Sequence, residues 1–221
     1  MDRVPEPELM LDDEQAKAYA AADFESAHNR YPVLFAETFP DRPATALVLD
    51  VGCGPCDVTI RFARANPGYT FHAVDGSAAM LKYGRQRIER EGDLTGRIQL
   101  IEGYIPDARN LVKSYDVIMS SSLLHHLPGP QALWTTVRQH SLPGTLVFVV
   151  DLFRPASRTD AEAITTKYVG DEPEVLRRDF LNSLVAAFTP EEVRQQLAEA
   201  GLPTLQVTTI SDRHLMVSGK T

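Results

Sequence analysis

Three small groups of residues have types and spacings that could do chemistry. Asp50-Val51-Gly52-Cys53-Gly54 closes an aliphatic run. Its two glycines can adopt a turn that lets a ligand approach bare backbone. Asp50 restricts that ligand, because a carboxylate at a strand end repels a phosphate but welcomes an ammonium or a hydroxyl. The only cysteines, Cys53 and Cys56, are spaced Cys-Gly-Pro-Cys, which is a redox spacing. Two thiols fall short of the four ligands of a structural zinc site. His125 and His126 stand side by side in Leu-His-His-Leu, and an imidazole ionises near neutral pH, as a general base must.

The elements that must position these groups alternate. Leu47, Val48, Leu49 and Val51 read as a buried strand, and Asp57 stands where it would cap a helix carrying Val58, Phe62 and Ala65. Further strands are expected at 70–74, 97–102, 115–121 and 146–151, and helices at 77–91 and 131–140. Thr189, Pro190 and Glu192 form a capping box that opens a helix over 189–200, ended by Gly201. Strands at 205–210 and 214–218, joined by a tight turn, close the chain. Residues 12–39 read as helical, with Tyr19, Phe24, Tyr31, Leu34 and Phe35 as apolar faces. The expected fold is α/β: a doubly wound, seven-stranded, mostly parallel sheet with an antiparallel C-terminal hairpin, in a three-layer αβα sandwich. Repeated strand–helix units set the redox reading of the cysteines aside in favour of a ligand turn. In such a sheet Asp75 ends the second strand, where a carboxylate accepts ribose hydroxyls, with Gly76 and Ser77 next to it. Met80 would then offer the adenine a flexible apolar surface.

Asp-Val-Gly-Cys-Gly resembles the first motif of class I (Rossmann-like) S-adenosylmethionine-dependent methyltransferases, with Cys56 in place of the usual third small residue. Ser-Ser-Ser-Leu-Leu-His-His-Leu resembles the family's fourth motif, and Leu142-Pro143-Gly144-Thr145 its turn before the fifth strand. The resemblance covers about residues 44–152 by motif and the remainder by topology. It implies S-adenosyl-L-methionine as cofactor and S-adenosyl-L-homocysteine as product, with no metal. An amino-acid head and no phosphate suit Asp50, Gly52, Cys53 and Gly54. By the same resemblance Tyr19 lies over the cofactor cleft. Tyr104 and Ile105 meet the adenine where relatives carry an acid, and Ser120 and Ser121 end the fourth strand facing sulfonium and substrate. His126, then His125, are the candidate bases.

Composition narrows the acceptor. The chain has 221 residues, 43% hydrophobic and 24% charged, enough for one α/β domain with an ample core. The formal charge of −8 disfavours non-specific binding to nucleic acid, which depends on Lys and Arg at phosphates. No apolar run has the length of a membrane span, and no secretory pattern opens the chain, so a cytoplasmic address is expected. The leading expectation is a methyltransferase acting on an O-, N- or C-nucleophile of a small molecule. The alternatives are a tRNA or protein methyltransferase and, further off, a Rossmann dehydrogenase. The methyl acceptor, the oligomeric state and any redox role of the cysteines stay open; a helix dipole would make Cys56 the more reactive thiol.

A single domain spanning 1–221 is expected in four parts: a helical cap (1–43), a cofactor-binding core (44–152), a helical substrate cover (153–188), and a C-terminal helix with closing hairpin (189–221). The cover is surplus to the sheet, yet Ala161, Ile164 and Tyr168 mark one helix face and Val175, Phe180, Leu181, Leu184, Val185 and Phe188 another. It leaves the sheet just after Asp151. Arg154 and Tyr168 are its candidate substrate contacts, with Arg154 poised to pair with an anionic acceptor.

Overall fold

Alternation of apolar side chains in the strands decides which helices lie on which face. A computed structural model describes residues 1–6, 13–21 and 25–221; Phe24 lies outside them. The strands are β1 (Ala46–Val51), β2 (Tyr69–Asp75), β3 (Ile98–Glu102), β4 (Val117–Ser121), β5 (Leu146–Leu152), β6 (Gln206–Thr209) and β7 (His214–Lys220). They form one sheet in the order β3-β2-β1-β4-β5-β7-β6. The first five are parallel, whereas β7 runs antiparallel to both β5 and β6. The expected seven-stranded sheet with its closing hairpin is the one observed.

Val48, Phe71, Val117, Met119 and Phe148 point to one face. There they meet α3 (Arg30–Thr38), α4 (Asp57–Ala65) and α5 (Ala78–Arg90). Phe35 of α3 packs edge-on against Phe62, Tyr69 and Phe148, so the N-terminal segment is anchored by aromatic contacts. Leu49, Val51, Ile118, Val147 and Val149 point to the other face, under α6 (Gln131–His140) and α9 (Pro190–Glu199). Residues two apart share a face and neighbours oppose, so both layers are read from one period.

Two further helices, α1 (Asp13–Ala21) and α2 (Glu25–His28), precede α3, and α7 (Arg158–Val169) and α8 (Glu174–Ala186) lie between β5 and α9. Ser157 and Thr189 cap α7 and α9 with capping boxes. No helix among the described residues is long and apolar enough to cross a membrane.

One expected cap is displaced. Asp57 is the first residue of α4, and Cys56 holds the N-cap position in a left-handed conformation, φ 61°. The Asp57 carboxylate is engaged sideways instead, by His28 Nδ1 at 2.7 Å and Arg61 Nε at 3.0 Å.

Candidate active site

The sheet order reverses between β1 and β4, and their carboxyl ends leave a crevice there, as in open α/β sheets that bind ligands. Gly52 turns the chain at the lip of β1 with φ +72°, where a Cβ would strike the Leu123 side chain at 2.7 Å. The turn is tied to β2 by the amides of Gly52 and Cys53, which donate to the Val74 carbonyl at 2.8 and 3.0 Å. Gly54 follows at φ +51°. Its amide donates to Asp75 Oδ2 at 2.8 Å, and the Ser77 amide donates to Asp75 Oδ1 at 2.8 Å. Asp75 therefore couples the glycine turn to the start of α5, while Ser77 caps that helix by accepting from the Met80 amide. Burial raises the Asp75 carboxyl above the usual range, and its two backbone bonds oppose that rise.

The crevice opens into a cavity of about 1060 Å³, its mouth included. Tyr19, Gly52, Cys53, Gly54, Asp75, Gly76, Ser77, Met80, Tyr104, Ile105, Ser121 and His126 all line it. Five segments distant in sequence are thus brought together. Burial pushes the Tyr19 phenol up to about 12, with the charges of Asp151, Asp57 and Asp75 adding to the rise, so it stays a neutral hydrogen-bonding group. Tyr104 is exposed at the rim.

His28, Asp57 and Arg87 also line the cavity, and sequence reasoning did not find this group. Arg87 Nη1 stands 3.4 Å from Asp57 Oδ1. Burial alone would raise Asp57; the bonds from His28 and Arg61 hold it well below the carboxylate range instead. An ionised acid and a guanidinium therefore share one wall. No local pattern marks Arg87, which is one of several arginines on α5.

At the opposite wall a 3-10 turn, Leu124–His126, carries the histidines. Asp151 at the end of β5 fixes it: Oδ2 accepts the Leu124 amide at 2.7 Å, and Oδ1 lies 2.5 Å from His125 Nδ1. His125 and Asp151 are 3% and 1% exposed. Burial lowers the imidazole pKa, but the adjacent Asp151 charge outweighs it and the net direction is up. Burial likewise raises Asp151, and His125 more than reverses that. His126 is the member that reaches the cavity. Glu6 joins them from the N-terminus, with Oε1 3.2 Å from His126 Nδ1 and 3.5 Å from His125 Nε2.

Five expected contacts are placed elsewhere. Asp50, 1% exposed, lies behind the turn and accepts from Thr59 Oγ1 at 2.5 Å. Its Oδ1 has no partner among the described residues, and burial raises the carboxyl to about 7. Ser120 donates to the Val51 carbonyl, tying β4 to β1. His125 is screened from the cavity by its bond to Asp151. Arg154 is buried with its guanidinium filled: it donates to the carbonyls of Met1 and Ala187 and to Glu192 Oε1. Its expected role as an anion contact is thus corrected to one of tying the N-terminus to α9. Tyr168 lies at the surface, its ring under Arg213 and its hydroxyl on Asp212. The arginine and tyrosine readings failed because sequence shows that a charge follows a strand, not which carbonyls surround it. Both cysteines are buried, and burial and the neighbouring Cys56 push the Cys53 thiol well up. The turn shelters them rather than presenting a reactive thiol.

A glycine turn at the β1/β4 switch, an acid at the end of β2 and an antiparallel β7 between β5 and β6 define the class I, Rossmann-like methyltransferase fold. A putative S-adenosyl-L-methionine-dependent methyltransferase from Methanococcus maripaludis superimposes with a TM-score of 0.73 at 16% identity, covering 99% of this chain and 97% of that one. Residues 49–147, a little under half of the chain, match the family described as Methyltransferase domain. It is 33% identical over 111 residues to trans-aconitate 2-methyltransferase of Deinococcus radiodurans, which is 50% of this chain and 39% of that protein. It is 27% identical over 128 residues to ubiquinone biosynthesis O-methyltransferase of Xanthomonas axonopodis pv. citri, 58% of this chain and 52% of that protein. The chain thus matches about two fifths and about half the length of these two relatives.

Proposed function

We propose that the chain is an enzyme that binds S-adenosyl-L-methionine in this cavity and transfers its methyl group to a small-molecule nucleophile. The observation that carries the reading is Asp75, whose carboxylate lines the cavity while it pins the glycine turn through the Gly54 amide. The donor set fits the cofactor. An acid at the turn opposes a phosphate, its remaining lone pairs suit ribose hydroxyls, and Met80, Tyr104 and Ile105 offer an apolar place for adenine. Arg87 supplies a guanidinium for the amino-acid carboxylate, which a dehydrogenase's dinucleotide lacks.

Bound there, the cofactor supplies a methyl already activated by a sulfonium charge. The protein's work is then alignment and exclusion of water, which favour an in-line displacement. The Gly52–Gly54 turn and Asp75 hold the donor half. Ser121 and His126 face the acceptor half. Helix α8 completes the acceptor side indirectly. It holds residues 1–6 against the histidine turn, with Val4 bonded to the Val185 carbonyl and Ser183 donating to Glu6.

Incubating the chain with S-adenosylmethionine and a metabolite extract, then scanning for products heavier by one methylene, tests the reading. A methylated small molecule that disappears in Asp75→Ala is the expected result. Methyl incorporation confined to added tRNA or protein would overturn the small-molecule acceptor.

A further inference from the structure

Glu6 comes from the far end of the chain, and residues 1–6 are tied down in order to deliver it. The Met1 ammonium donates to the Ala156 carbonyl at 2.9 Å. Arg3 Nη2 donates to the carbonyls of His125 and Leu127 at 2.9 and 3.0 Å, so the same segment that brings Glu6 also clamps the histidine turn. One carboxylate oxygen then meets two imidazoles, at 3.2 Å from His126 Nδ1 and 3.5 Å from His125 Nε2. The three donor atoms all lie within 4.8 Å of one another. A tetrahedral ion with bonds of about 2.0–2.1 Å to nitrogen and oxygen spaces its ligand atoms roughly 3.3–3.4 Å apart. The two measured separations bracket that edge.

We propose that Glu6, His125 and His126 form a binding site for a divalent transition-metal ion of the zinc class, beside the cavity and separate from the glycine turn.

The surroundings support ligands rather than bystanders. Asp151 holds His125 Nδ1 at 2.5 Å, which turns Nε2 toward Glu6 as the ring's other ligand atom. Ser183 Oγ donates to Glu6 Oε1 at 3.0 Å and fixes the carboxylate. A carboxylate behind a ligating histidine and a hydroxyl behind a ligating carboxylate orient such ligands and raise their basicity. Charge agrees with geometry: Glu6 and Asp151 place two acids around two imidazoles in a largely buried pocket, and a dication compensates both. Two nitrogens and one oxygen, without thiolate, suit Zn²⁺, Co²⁺, Ni²⁺ or Fe²⁺ better than Ca²⁺ or Mg²⁺, which take oxygen shells. Three protein ligands leave a fourth position open, as in catalytic rather than closed zinc sites. His126 also lines the cavity, so the site adjoins it. The expectation of no metal weighed only the two cysteines as ligands; Glu6 joins the two histidines only through the fold.

The test is independent of methyl transfer. Chelator-stripped protein is dialysed to equilibrium against zinc sulfate and its metal content measured, with circular dichroism of each variant. One zinc per chain is expected, with affinity about ten-fold or more weaker in Glu6→Gln and in His126→Gln. The double variant Cys53→Ser/Cys56→Ser should bind as the parent does. A second readout needs no variant: cobalt loaded into the parent should show visible d–d bands and no sulfur-to-cobalt charge transfer. Zinc at background level would overturn the site, leaving Glu6 as a direct ion-pair partner of the histidines. So would affinity unchanged in both ligand variants, or binding that follows the cysteines.

Discussion

The two walls of the cavity are built in opposite ways. The donor wall is local: β1, the Gly52–Gly54 turn, α4, and then Asp75 and α5 follow within the single stretch from Ala46 to Arg90, and backbone amides do most of the holding. The acceptor wall is assembled from the N-terminal residues, the 124–126 turn, the end of β5 and α8, and side-chain charge holds it. A wall made of backbone geometry tolerates change except at glycines and the acid that pins them. A wall made of buried charge depends on every partner. The first arrangement suits a cofactor shared across a family, and the second suits an acceptor that varies.

The largest expected effect breaks the acceptor wall alone. Asp151→Ala removes the counter-charge of His125 and the acceptor of the Leu124 and Leu152 amides. Breaking one partner out of a buried pair should cost about 3–5 kcal/mol of stability, read by urea denaturation, while the folded fraction keeps its cofactor affinity. A loss below about 1 kcal/mol, the scale of one ordinary hydrogen bond, would mean that this wall does not depend on buried charge.

A smaller effect probes the donor wall through pH. Asp50 is buried with its carboxyl raised to about 7, so the folded state holds a proton that the unfolded chain, near the ordinary Asp value, releases. That contribution to stability is fully present below the unfolded pKa and is lost as pH rises through the folded one. Asp50→Asn keeps an acceptor for Thr59 without ionising. Its stability relative to the parent should therefore grow between about pH 4 and pH 7 and level off above, by roughly 2–4 kcal/mol. A difference that stays flat across that window would contradict the burial of a titrating acid behind the turn.

The same contrast explains what could be read from sequence. The glycine turn, Asp75, Met80 and the strand order were legible because period-two strands, φ-permissive glycines and an acid at a strand end are local signals. Even there Asp50 was misplaced, since a residue inside a strand can point to either side of the turn that follows it. Glu6, Arg87 and Asp151 gave no local signal, because their partners lie far away in sequence. Arg154 failed in the converse way: its position suggested a ligand, and the carbonyls of Met1 and Ala187 hold it instead.

The central claim is that the Asp75-pinned turn is a site for S-adenosylmethionine, and titration calorimetry tests it most directly. One equivalent should bind the parent, NAD should not, and Asp75→Ala should weaken binding by about 1–3 kcal/mol, the scale of charge-assisted hydrogen bonds. Binding of NAD in preference, or an Asp75→Ala variant that holds S-adenosylmethionine as tightly as the parent, would contradict it.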